Sequence, residues 1–176
     1  PSGQSTQMIV GADTSNDAII LRKASQLYKS FKMKRVYYSA FSPIPDASSE
    51  LPLTAPPLLR EHRLYQADWL LRFYGYSIDE LTDVTNNEHS QGMLSLDVDP
   101  KLAWAINHRE SFPVDLNRAD LENILRVPGI GVINARRLVA QRKVVAIRFK
   151  DLGKLRLPKE KLKYFVTTVD HKPKFA

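Results

Sequence analysis

A chain of 176 residues has room for one large domain or two small ones, and is too short for a complete eight-stranded α/β barrel of ~250 residues. Hydrophobic residues make up 43% and charged residues 26%; no apolar run approaches the ~18 residues of a membrane span, so a soluble protein with no membrane partner is expected. Zero cysteines exclude disulfides, thiolate zinc sites, cysteine nucleophiles and any iron–sulfur cluster held by this chain alone. No secretory leader is visible, which points to the cytoplasm, and Pro1-Ser2-Gly3 reads as a cut rather than a natural start.

The net charge of +7 is unevenly placed. Residues 1–112 carry 11 Lys and Arg against 13 Asp and Glu, whereas residues 113–176 carry 15 against 6. This change of sign predicts two units, 1–112 and 113–176, the second facing a polyanion; a solvated basic tail is the alternative.

In chain order, Gln7 to Gly11 reads as a buried strand leaving into a loop. Asp13 to Asp17 supplies N-cap candidates for an amphipathic helix over Ala18 to Phe31, with Ile20, Leu21, Ala24, Leu27, Tyr28 and Phe31 on one face. Arg35 to Phe41 is β-branched and aromatic and reads as a second buried strand, which completes a βαβ unit with parallel strands. Five prolines between Ser42 and Pro57 enforce a long loop. A helix from Pro57 to about Tyr74 follows, with Leu64, Ala67, Leu71 and Tyr74 inward, Trp69 and Phe73 assigned to the core, and Arg60 and Arg63 on a solvated face, the alternative being that they meet a carboxylate or phosphate. Ser77 and Glu80 form a capping box stapled by Tyr76 and Leu81. Thr85 to Gly92 is polar and expected to move, and Asp99-Pro100 opens a helix to about His108 with Trp104 in the core.

The C-terminal segment predicts an αα-hairpin. Asn117 to Asp120 reads as a capping box with Leu116 and Leu121 as staple, and Leu121, Ile124 and Leu125 form the buried stripe. Val127-Pro128-Gly129-Ile130-Gly131 must end that helix, since proline breaks it and both glycines permit left-handed turns. Val132 to Arg142 restarts a helix whose bare first-turn amides would suit a phosphate. No Gly-Lys-Ser/Thr follows, which excludes a nucleotide phosphate loop.

Val114-Asp115-Leu116-Asn117-Arg118-Ala119, Leu125 to Gly131, Ala135 and Arg142 together resemble the helix-hairpin-helix DNA-binding module. Phe149 to Phe165, with Leu152, Leu155, Leu162 and Phe165 apolar, is similar to a degenerate second copy. The sequence departs from that family at Val132, Ile133 and Asn134, where Lys or Thr is usual. The resemblance implies contact with nucleic-acid backbone by Gly129, Ile130, Gly131 and Val132, supported by Arg136, Arg137 and Arg142. DNA is the expected partner, with RNA as the alternative; a hairpin that serves only packing or scaffolding is the competing class.

Gly3 to Ala12, Arg35 to Pro45, Leu58 to Gly75 and Leu96 to Lys101 resemble the C-terminal half of biotin-synthase-related radical S-adenosylmethionine proteins of DNA modification or repair. That resemblance implies late elements of a partial α/β barrel followed by a small all-α helix-hairpin-helix domain. It also implies a 4Fe–4S cluster and S-adenosylmethionine in the full-length parent, and a missing N-terminal half of the barrel as partner. The cluster's cysteine loop has no counterpart, so this segment alone cannot perform radical chemistry. Tyr37 and Tyr38 are the candidates for stacking on a cofactor or a base, and which of them points inward depends on a strand parity that one sequence leaves open.

Other chemistries find no support. His62, His89, His108 and His171 lack metal spacing, and no Gly-x-Ser-x-Gly elbow occurs.

Overall fold

The computed structural model describes residues 3–46, 48–82 and 91–173. They form a mixed α/β architecture of seven α-helices and two two-stranded parallel sheets, and no barrel is closed among them. No helix of the described residues is long and apolar enough to cross a membrane. The polar stretch Thr85 to Gly92, with His89, lies outside the described residues up to Ser90.

Two compact units divide the chain, Pro1–Arg72 with Tyr76–Pro100, and Phe73–Gly75 with Lys101–Ala176. The division falls before the charge boundary at residues 112 and 113, because the segment after Pro100 joins the C-terminal core. There Trp104 and Phe112 approach edge to face at 6.2 Å and Phe112 meets Phe165 at 5.2 Å.

In the first unit, β1 (Ser5–Val10), α1 (Asp17–Phe31) and β2 (Arg35–Ala40) make the expected βαβ unit, in register from Ser5 with Arg35 to Val10 with Ala40. Neither strand is buried throughout. Exposure alternates along both, because helices cover one face only: Val10, Val36 and Tyr38 are buried, while Gln7, Ile9 and Tyr37 are exposed. Asn16 caps α1 by accepting from the Ile19 amide, and Lys32 ends it in the left-handed region with φ 50°. Phe31, the last residue of α1, is exposed.

α2 (Leu58–Phe73) buries Leu64, Ala67 and Leu70. Burial of each such leucine contributes roughly 1.5–3 kcal/mol. Trp69 and Phe73, expected in the core, are 52% and 43% exposed, since the buried stripe runs through 64, 67 and 70 and both rings fall off it. Arg60 is corrected in the opposite direction: it is buried, its Nε donating to Asp17 Oδ1 at 2.7 Å and its Nη2 to the Ser15 carbonyl at 2.7 Å. Arg63 is partly buried and donates to the Leu96 carbonyl. The box opening α3 (Ile78–Thr82) forms as expected, Ser77 and Glu80 exchanging bonds of 2.7 and 3.2 Å.

The second unit contains α4 (Pro100–Asn107) from its second residue on, a 3-10 turn at Arg109–Ser111, β3 (Val114–Asp115), α5 (Leu121–Arg126), α6 (Val132–Gln141), a 3-10 turn at Phe149–Gly153, α7 (Lys159–Leu162) and β4 (Val166–Thr167). It is not all-α, because β3 pairs in parallel with β4. Two-residue strands are too short for periodicity to reveal. Leu116, Ile124, Val127, Leu138, Ile147, Leu152, Leu162 and Val166 meet in its core. Asp120, not Asn117, caps α5 by accepting from Asn123. Asn117 instead exchanges hydrogen bonds with the backbone of Ile147, fixing the segment after α6.

Candidate nucleic-acid interface

The turn between α5 and α6 follows from its residues. Val127 leaves the helix in extended conformation, Pro128 has no N–H to continue the ladder, and Gly129 takes φ 93°. The Ile130 amide closes back on the Val127 carbonyl at 3.1 Å, the bond of a β-turn with proline second and glycine third. Only one of the two glycines needs its freedom. A Cβ on Gly129 would lie 2.8 Å from Pro158 Cγ, whereas Gly131 has φ −92° and ψ 167°, extended backbone open to any residue.

Gly131 is the N-cap of α6 and offers no side chain to the helix end. Its carbonyl accepts from Ala135 at 2.8 Å. The amides of Gly131, Val132, Ile133 and Asn134 have no acceptor among the described residues. They coincide with the positive end of the helix dipole, worth roughly half an elementary charge. Ile130 does not join them, because its side chain is buried and its N–H is already engaged. Ile133 and Asn134 do join them, although Lys or Thr is usual at their places in the family that the sequence resembles; the donors are backbone and leave no trace in residue type.

Arg136 and Arg137 are exposed in the second turn of α6, without an ion pair among the described residues. Arg142 is placed differently. Its Nη1 donates to the carbonyls of Leu116 and Ala119, so it clamps the segment before α5 to the end of α6. The apolar side chains of Ile133, Val144 and Val145 are exposed nearby in sequence, Ile133 to 69%.

The segment Phe149 to Phe165 contains the 3-10 turn at Phe149–Gly153 and the four-residue α7. It supports the first hairpin: Pro158 fills the space at Gly129, and Asn134 Nδ2 donates to the Leu155 carbonyl at 3.4 Å.

In the first unit, strand parity separates the two tyrosines. Tyr38 faces the helices, 1% exposed, its hydroxyl donating to Asp68 Oδ1 at 3.2 Å; burial pushes the phenol above its ordinary pKa. Tyr37 lies on the open face, 43% exposed, with the Arg35 guanidinium 5.2 Å from its ring centre. Gln7 donates to Ser39 Oγ at 2.6 Å on the same face.

The two sheet edges also differ. Along the outer edge of β2, the amides of Val36, Tyr38 and Ala40 donate to the Tyr28 hydroxyl, the Tyr65 hydroxyl and the Glu61 carboxylate at 3.0, 2.9 and 2.9 Å. Phe41 donates to the Val10 carbonyl, so the alternation turns the backbone groups of Ser5, Gln7 and Ile9 to the outer edge of β1. No side chain bonds to those amides among the described residues.

A 4Fe–4S cluster does not fit this chain, which has no thiolate to hold it. Among the described residues no three His, Asp or Glu side chains gather as a metal set either. No family model, curated protein or solved structure matches the chain.

Proposed function

We propose that this chain is the C-terminal part of a radical S-adenosylmethionine protein of DNA modification or repair, acting in the cytoplasm, and that its C-terminal unit grips nucleic-acid backbone without strong sequence choice. The observation that carries the binding half is the run of amides from Gly131 to Asn134 with no acceptor among the described residues, followed by Arg136 and Arg137 with no ion pair among them, in the segment of excess positive charge. Backbone amides and flexible guanidiniums hold phosphates and read no bases, so the module positions rather than selects. DNA is the partner argued for, with RNA next.

The barrel half of the reading is supported by the one-sided sheet, whose exposed face carries Gln7, Tyr37 and Ser39, and by the contrast between its edges. A parallel sheet bare on one face and open at β1 suits the missing N-terminal half of a barrel, with Tyr37 rather than Tyr38 toward its interior. The cluster and S-adenosylmethionine would then belong to that half, and this chain's residues supply none of the cluster's ligands.

The test is titration of the full chain against duplex and single-stranded oligonucleotides at 50 and 200 mM salt. On duplex, Arg136→Gln with Arg137→Gln should remove two phosphate contacts, flattening the salt slope by about 1.8 and the response over that range by ~12-fold. Binding unchanged by the double substitution rejects the site. No binding even at low salt favours the second reading, a non-enzymatic docking or scaffold module, for which the exposed Ile133, Val144 and Val145 would be the contact surface.

A further inference from the structure

Behind the hairpin, on its core side, lies a lysine that no motif singled out. Lys101, in the first turn of α4, is 8% exposed. Its Nζ donates to the Ile130 carbonyl at 2.6 Å and sits 4.7 Å from the centre of the Tyr74 ring. The Tyr74 hydroxyl in turn approaches Gly131, lying 3.5 Å from where a Cβ would stand. Taking an ammonium out of water is costly unless it is paired, so the carbonyl and the ring face hold it in one place.

The direction of that carbonyl has a consequence for the next amide. In a trans peptide the C=O and N–H of one unit point opposite ways. Drawing the Ile130 oxygen toward Lys101 therefore turns the Gly131 N–H away from the core. The charge on Nζ also polarises the peptide and strengthens that N–H as a donor. Ala135 donates to Gly131, so the helical ladder begins one carbonyl later and leaves the Ile130 oxygen to the lysine.

We propose that Lys101 is a positioning residue for anion binding: without touching the nucleic acid, it aims the Gly131 amide, and with it the first turn of α6, at a backbone phosphate. This rests on the hairpin being a phosphate site. It separates two kinds of cation in the unit, Arg136 and Arg137, which would release counterions, and Lys101, which would not.

The experiment uses the full chain, a duplex oligonucleotide at 50 and 200 mM salt, and the ¹H–¹⁵N resonances of Gly131 and Val132 in the free protein. Lys101→Met should weaken binding at least about tenfold at both salts, the loss of a charge-assisted hydrogen bond, with the salt slope unchanged. It should also shift the Gly131 amide resonance in the absence of nucleic acid. Lys101→Arg, which donates to the same carbonyl, should bind like the parent. A folded Lys101→Met chain with parental affinity and parental Gly131 resonance overturns the proposal and leaves the hairpin reading intact. A salt slope flattened by about one contact also overturns it, making Lys101 a direct phosphate ligand. If the methionine variant does not fold, loss of binding in folded Lys101→Arg overturns it. A parent chain that binds nothing at 50 mM salt brings down the hairpin reading, and this proposal with it.

Discussion

Replacing each hairpin glycine by alanine separates the turn's geometry from its appearance in the sequence, where Gly129 and Gly131 look equivalent. At Gly129, φ is 93°, and forcing an L-residue into left-handed backbone costs about 1–2 kcal/mol. The new Cβ would also stand 2.8 Å from Pro158 Cγ, and overpacking of this kind adds about 1–3 kcal/mol. Alanine restricts the unfolded chain, returning ~0.4–1 kcal/mol, so a net loss of roughly 1.5–4 kcal/mol is expected. At Gly131 the backbone is extended and the Cβ would lie 3.5 Å from Tyr74 Oη, an ordinary contact. The expected change there is within about 0.5 kcal/mol, a small capping effect offset by the unfolded-state term. Thermal unfolding of both variants is the assay. For a chain of this size Gly129→Ala should lower Tm by roughly 3–16 °C and Gly131→Ala by no more than about 2 °C. Equal destabilisation by the two would refute the assignment of left-handed backbone to Gly129 alone.

Arg142→Gln should lower stability by about 1–3 kcal/mol, because the carbonyls of Leu116 and Ala119 lose their donor, while the salt slope of binding stays parental; a flattened slope would make Arg142 a phosphate contact. Asp17→Ala strands the buried Arg60 and withdraws the acceptor of the Leu94 amide, so urea unfolding should show a loss of about 3–5 kcal/mol, partly recovered when Arg60→Met is added; strict additivity of the two would deny the coupling. Burial pushes the Asp68 carboxyl above the ordinary carboxylate range, so the folded chain keeps a proton there that the unfolded chain has lost. Stability from this group is therefore fully present below the ordinary aspartate value and declines as pH rises from it to the raised value. Asp68→Asn should remove that decline, and an unaltered pH profile of stability would count against it.

The elements most legible in the sequence were those whose signal is local. The stripe of α1 through Ile20, Leu21 and Ala24, the Ser77–Glu80 box and the break at Val127-Pro128-Gly129 each depend on neighbours within a few residues. What escaped depends on distant partners. Arg60 looks like a surface residue until Asp17, from another helix, is placed beside it, and Arg142 looks like a phosphate ligand until two carbonyls claim it. The donors at Ile133 and Asn134 are main-chain groups, so the missing Lys or Thr said nothing about them. Strand parity could not be chosen between Tyr37 and Tyr38 because both are good strand residues; which face the helices cover decides it.

The pairing of Val114 with Val166 and of Asp115 with Thr167 brings the two ends of a long chain excursion to adjacent strands, ~4.8 Å apart. Everything from α5 to α7 departs from and returns to one doorway. A segment with adjoining ends can be spliced into a surface loop of another protein without stretching its host, as domains with neighbouring termini generally can. The hairpin and the segment behind it thus leave and return at one point, and a transferred piece would have to carry with it Lys101, Trp104 and Phe112, which meet Ile130, Arg126 and Phe165 outside the two-rung clasp. Because that clasp closes a long loop, its pairing carries a larger closure entropy than any contact within a single helix of the unit.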